Sequence, residues 1–125
     1  MSLIEPLGNK ILLVEDDVKL QNALRWILED DDLEILGAAS AGEALAIVES
    51  DPPDLVLCDV NLSGSSGIDV CRKMKNDPTK VHIPILLLSA IVTEGDLPSD
   101  VIYDGFVKKP FDVPQLYKLV RFFLR

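Results

Sequence analysis

Apolar residues along this chain follow two alternating rhythms. Nearly continuous apolar runs stand at 11–14 (ILLV), 33–38 (LEILGA), 55–58 (LVLC) and 85–88 (ILLL). Between them the apolar positions are three and four apart: Leu20, Ala23, Leu24, Ile27 and Leu28, then Ala44, Leu45 and Val48, then Ile68, Cys71 and Met74. The short runs, bounded by turn residues, read as strands buried on both faces, and the three-and-four spacing reads as helix. Ser40 with Glu43 forms a capping box ahead of the second helix. Asp112 with Gln115 does the same ahead of a last helix carrying Leu116, Leu119, Val120 and Phe123. Asp51-Pro52-Pro53-Asp54 breaks the chain before the third strand, and Gly64-Ser65-Ser66-Gly67 predicts a loop before the third helix.

Strand and helix in regular alternation predict an α/β domain on a parallel sheet covered on both faces. One stretch breaks the rhythm. Residues 91–104 carry Gly95, Pro98 and several acids, and Leu97, Val101 and Ile102 make a poor apolar stripe. A fourth helix there is expected to be short or irregular.

Composition narrows the function classes. A chain of 125 residues fits one core. The formal net charge of −9 argues against nucleic acid as a direct partner, because phosphate backbones are held by Lys and Arg. No apolar run approaches the ~20 residues that span a bilayer, and the start lacks the basic and apolar regions of a signal peptide. The only cysteines, Cys58 and Cys71, are too few for a disulfide framework and lack zinc-ligand spacing, so a cytoplasmic protein with reduced, buried thiols is expected. Residues 1–9 read as an N-terminal extension whose Met1-Ser2-Leu3 resembles a cloning remnant, with the domain at 10–125.

Chemistry gathers where the runs end. Glu15, Asp16 and Asp17 close the first run, Asp59 the third and Ser89 the fourth, while Lys109-Pro110 follows the short run Gly105-Phe106-Val107. In open parallel sheets, ligands bind beyond the carboxyl ends of the strands. Neighbouring carboxylates repel unless a positive charge sits among them. A hydrated Mg²⁺ suits the gap, since it takes one or two carboxylates and leaves room for a phosphoryl oxygen. A carboxylate can itself be the nucleophile and form an aspartyl-phosphate. The expectation is phosphorylation at Asp59, with Lys109 as fixed cation and Ser89 as hydroxyl. Asp17 reads as a solvated turn residue, Lys108 as a surface charge, and Trp26 as partial packing at the flank of the first helix. The only histidine, His82, is placed in a turn without a role.

Four segments, ILLVEDD, LVLCDVNLSGSSG, ILLLSA and GFVKKPF, stand in an order that resembles the receiver domain of two-component response regulators. The resemblance spans residues 10–125. It implies a flavodoxin-like (βα)5 three-layer sandwich with a five-stranded parallel sheet of order 2-1-3-4-5. It implies Asp59 as phosphoacceptor, with Mg²⁺ held by Glu15, Asp16, Asp59 and the main-chain carbonyl of Asn61. Lys109 would bind the phosphoryl group ahead of a cis bond to Pro110, and Ser89 and Phe106 would be the switch pair. The implied donor is a histidine kinase or a histidine phosphotransfer protein. The implied readout is a face made by the fourth helix, fifth strand and fifth helix, acting on an output domain, a downstream protein or a phosphorylation-dependent dimer.

Two departures stand out. Ser63 takes the place of the family's usual proline, which implies a looser loop, and the interval from Ser89 to Lys109 is short. Two other functions compete with the switch. One is a degenerate receiver serving as an interaction module. The other is a phosphohydrolase of the haloacid dehalogenase type, which needs a second aspartate two residues after the nucleophile, where this chain has Asn61.

Overall fold

A computed structural model describes residues 9–30 and 32–124. The reading of residues 1–8 as an extension lies outside them. Five strands, β1 (Lys10–Val14), β2 (Glu34–Ala38), β3 (Leu55–Asp59), β4 (Ile85–Ser89) and β5 (Gly105–Lys108), form one parallel sheet. Its order is β2-β1-β3-β4-β5, the expected 2-1-3-4-5. Four α-helices complete the alternation: α1 (Val18–Leu28), α2 (Ala41–Ser50), α3 (Gly67–Lys75) and α4 (Val113–Phe123).

Side chains alternate across each strand, so the all-apolar runs feed two separate cores. Leu12, Val14, Val56, Cys58, Ile85 and Leu87 meet Ala44, Val48, Val70, Cys71 and Met74 of α2 and α3. Ile11, Leu13, Leu55, Leu57, Leu86 and Leu88 meet Leu24, Leu28, Leu116 and Val120 of α1 and α4. Both faces are covered, which is why the runs 11–14, 55–58 and 85–88 within β1, β3 and β4 hold no charged residue. Both cysteines are free and buried, and burial pushes the Cys58 thiol well up and that of Cys71 up to about 12.

Several local expectations are corrected. The segment between β4 and β5 is short and irregular as expected, a single 3₁₀ turn, Glu94–Asp96; what is corrected is the output face, which no α-helix from this segment joins. Pro98 cannot donate and Gly95 disfavours helix, and polar contacts hold the segment instead. The Asp96 carboxylate accepts from the Thr93 N–H and hydroxyl, both at 2.9 Å. Arg72 of α3 forks onto Asp100, and Lys75 Nζ reaches Asp104 Oδ2 at 2.9 Å. Asp112 stands at the N-cap of α4 without a side-chain bond there, so the expected capping box is not formed. Asp17 is no idle turn residue: it caps α1, accepting from Lys19 N and Leu20 N. Trp26 is 78% exposed rather than partly packed.

The expected loop at 64–67 is a tight antiparallel ladder, Asn61–Leu62 against Ser65–Ser66, turning on Gly64 at φ +71°. Gly67 opens α3 directly behind the end of β3. A Cβ there would stand 2.3 Å from the Asp59 carbonyl oxygen. Gly67→Ala is therefore expected to destabilise by about 1–3 kcal/mol through overpacking. Gly42→Ala, on an open position of α2, should be neutral or stabilise by up to about 1 kcal/mol. Urea unfolding midpoints of the two variants check the contrast, and equal shifts would contradict the close approach at Gly67.

Candidate functional site

Four of the strands, β1, β3, β4 and β5, deliver a polar residue at the same edge of the sheet, where the apolar run ends. Glu15 follows β1, and its main chain is fixed by Glu15 N–H to the Ala38 carbonyl at 3.0 Å and by Gln21 Nε2 to its own carbonyl at 3.1 Å. Asp59 is the last residue of β3. Its Oδ1 accepts from the Asn61 N–H at 2.9 Å. Lys109 leaves β5 with its N–H on the Ser89 carbonyl at 2.8 Å, and the Lys109–Pro110 peptide is cis.

The ammonium of Lys109 joins these strands. Its Nζ lies 2.7 Å from Glu15 Oε1 and 2.5 Å from Asp59 Oδ2. Glu15 is 3% and Asp59 is 7% exposed, so this cluster is a buried one. Burial pushes the Glu15 carboxyl up to about 7, with Lys109 opposing and Asp59 adding to the rise. For Lys109 burial acts downward, but the two carboxylates outweigh it and its pKa is raised.

Asp16 has a different partner. Its Oδ2 accepts from the Ser63 N–H at 2.8 Å and from the Ser63 hydroxyl. Those two bonds, the hydroxyl's first, hold its carboxyl below the usual range. The loop expected to be looser for lack of proline is thus tied to the β1–α1 turn. Asn61 is exposed at the start of the short ladder. Ser89 is fully buried, and its hydroxyl oxygen accepts from Ile91 N–H at 3.2 Å and Val92 N–H at 3.0 Å. Phe106 is half-buried on β5 and lines an open groove of about 380 Å³ with Pro110, Phe111 and Leu119.

Five elements therefore contribute, and the side chains of Glu15 and Asp59 meet on that of Lys109. The donor set fits a hard divalent cation: the carboxylates of Glu15, Asp16 and Asp59 outnumber the one ammonium, and all are oxygen ligands. Among the described residues, no three ligating side chains are already gathered around one point. Lys109 bridges Glu15 and Asp59, and Ser63 holds one oxygen of Asp16. Sequence reasoning missed Ser63, Gln21 and Gly67 as parts of the site. Only Ser63 carried a signal, as the residue standing where proline is usual.

Removing the ammonium leaves two facing carboxylates in a dry setting. In EDTA near pH 8, Lys109→Ala is expected to cost about 3 kcal/mol of stability. Glu15 already holds its proton up to about pH 7 in the fold but only to about 4.5 when unfolded, so lowering pH through that window favours the folded variant. The loss should shrink near pH 5. Urea unfolding at both pH values checks this, and an equal loss at each would contradict the electrostatic account.

Among the described residues, no helix is long and apolar enough to cross a membrane. A model of the response regulator receiver domain family matches residues 11–121. The chain is 37% identical over 116 residues to response regulator PleD of Caulobacter vibrioides, covering 90% of this chain and 25% of that protein. It is 33% identical over 120 residues to the phosphate regulon transcriptional regulatory protein PhoB of Pseudomonas aeruginosa, covering 94% and 52%. It thus spans between a quarter and about half the length of these relatives. A putative response regulator from Chloroflexus aurantiacus superposes with a TM-score of 0.85 at 28% identity, over 94% of this chain and 98% of that one. Chemotaxis response regulator CheY4 of Vibrio cholerae gives 0.83 at 25% identity, over 94% and 99%. The chain belongs to the response regulator receiver domain family of two-component signalling, a family of switches and not of catalytic enzymes.

Proposed function

We propose that this domain takes a phosphoryl group onto Asp59 from a phosphohistidine of a histidine kinase or phosphotransfer protein, in the cytoplasm. The observation that carries the reading is the Lys109 ammonium against a buried Asp59 carboxylate, with Glu15 beside them. A carboxylate oxygen of Asp59 attacks phosphorus, the phosphorus–nitrogen bond breaks, and its electron pair leaves on the donor imidazole, which takes up a proton. The Asn61 N–H on Oδ1 orients the nucleophile. Lys109, freed from the carboxylate as its charge is consumed, follows the negative charge onto the phosphoryl oxygens. Mg²⁺ supplies neutralisation of phosphoryl charge when bound, and the residues that would hold it are Glu15, Asp16, Asp59 and the Asn61 carbonyl.

The switch follows from the hydroxyl of Ser89. It now accepts two backbone N–H bonds and has its proton to give. Donation to a phosphoryl oxygen would turn it toward Asp59 and leave space that the half-buried Phe106 enters, biasing a two-state equilibrium. With only a 3₁₀ turn between β4 and β5, the readout face would consist of β5, α4 and the segment at 90–104. That reduced face is the observation favouring the second reading, a receiver that binds a partner without phosphorylation.

Intact mass after incubation with Mg²⁺ and phosphoramidate or acetyl phosphate separates the readings. A gain of one phosphoryl group, absent in Asp59→Ala, is the expected result. Absence of an adduct with every donor would leave the interaction module, and steady release of phosphate from monoesters would point to a hydrolase.

A further inference from the structure

Asp16 and Ser63 lie 47 positions apart, one in the turn after β1 and the other in the turn after β3. Their contact is the direct side-chain tie between the two turns that carry Asp16 on one side and Asp59 with Asn61 on the other. Both Ser63 donors fall on a single oxygen, Oδ2, at 2.8 Å from the N–H and with the hydroxyl alongside. Among the described residues, Oδ1 has no bond to either Ser63 donor.

A carboxylate on an exposed turn samples several rotamers, and a metal ligand must give most of them up. Two converging donors remove that freedom beforehand, and a carboxylate held through one oxygen can still ligate through the other. Hydrogen-bond partners of metal ligands act in this way, and losing them commonly weakens metal binding by tenfold or more. Proline, usual at this place in the resembling family, has neither an N–H nor a hydroxyl to give. The tie is therefore a property of this chain.

We infer that Ser63 is a positioning residue for divalent-cation binding, holding Asp16 across the two turns so that the site is partly assembled before the cation arrives. This rests on the reading of Asp16 as a metal ligand, and the test separates the two. The probe is Mn²⁺ alone, counted free in solution by its electron paramagnetic resonance signal and then displaced with Mg²⁺. Ser63→Thr, which keeps both donors, should retain the parental dissociation constant within about twofold. Ser63→Ala, which keeps only the N–H, should weaken it about threefold, and Ser63→Pro, which loses both, about tenfold or more. Amide exchange at position 63 in EDTA should be slowed in the parent and accelerated in Asp16→Asn. Melting temperatures in EDTA identify any variant that is merely unfolded, and the Thr and Ala variants carry the test if Pro disrupts the turn. Unchanged or tighter binding in the folded Ala and Pro variants, with Asp16→Asn weakened, overturns the role of Ser63 alone. Parental affinity in Asp16→Asn overturns the metal assignment and the inference with it.

Discussion

The ammonium of Lys109 lies between carboxylates that come from two other strands, 94 and 50 positions away. Nothing local could produce that meeting. It requires β1 and β3 to be neighbours, β4 to lie beside β3, and β5 to run parallel on the far side of β4, so that a side chain beyond β5 crosses the end of β4. Ser89 is fully buried beneath this crossing, with its carbonyl on the Lys109 N–H. Strand order and site geometry are thus one constraint. A buried ion pair is weak evidence for stability, since desolvation offsets much of the attraction. Here it specifies register instead, because a slip of β5 by one residue would point Lys109 to the wrong side of the sheet.

What the sequence made legible follows the same division. Strands buried on both faces leave a signal that no solvent-facing residue interrupts, and 11–14, 55–58 and 85–88 all became strands. The helices betrayed their inner faces through Leu24 and Leu28, Ala44 and Val48, Cys71 and Met74, Leu116 and Val120. Strand-end chemistry was legible for a related reason: a charge right after a buried run has few structural excuses. Glu15, Asp59 and Lys109 met as a cluster on that logic.

The misses share a cause as well. Ser63 reaches Asp16, Gly67 makes room for the Asp59 carbonyl, and Asp17 caps α1, and none of these leaves a period in the chain. They depend on where backbone from distant segments passes. Asp112 failed in the opposite sense. Its spacing to Gln115 satisfied the rule for a capping box, yet its side chain makes no cap bond.

The segment at 90–104 shows how unequal the supports around one site can be. At its far end Lys75, whose side chain is 7% exposed, bonds Asp104 and the carbonyls of Val81 and Ile83, while Asp104 also accepts from Ile85 N–H at 2.7 Å. That is an anchored corner with few ways to rearrange. Nearer the site the ties are Arg72 to Asp100 and Tyr103 to Glu94, on the surface, where such contacts contribute at most about 1 kcal/mol each. Ser89 stands where the two regimes meet, rigid through its strand and loosely tethered through the N–H groups of Ile91 and Val92. A hydroxyl so placed can turn without disturbing the sheet. Under the proposed switch, what it releases would act first on the weakly held stretch, and the anchored corner at Asp104 would limit how far that displacement runs along the chain.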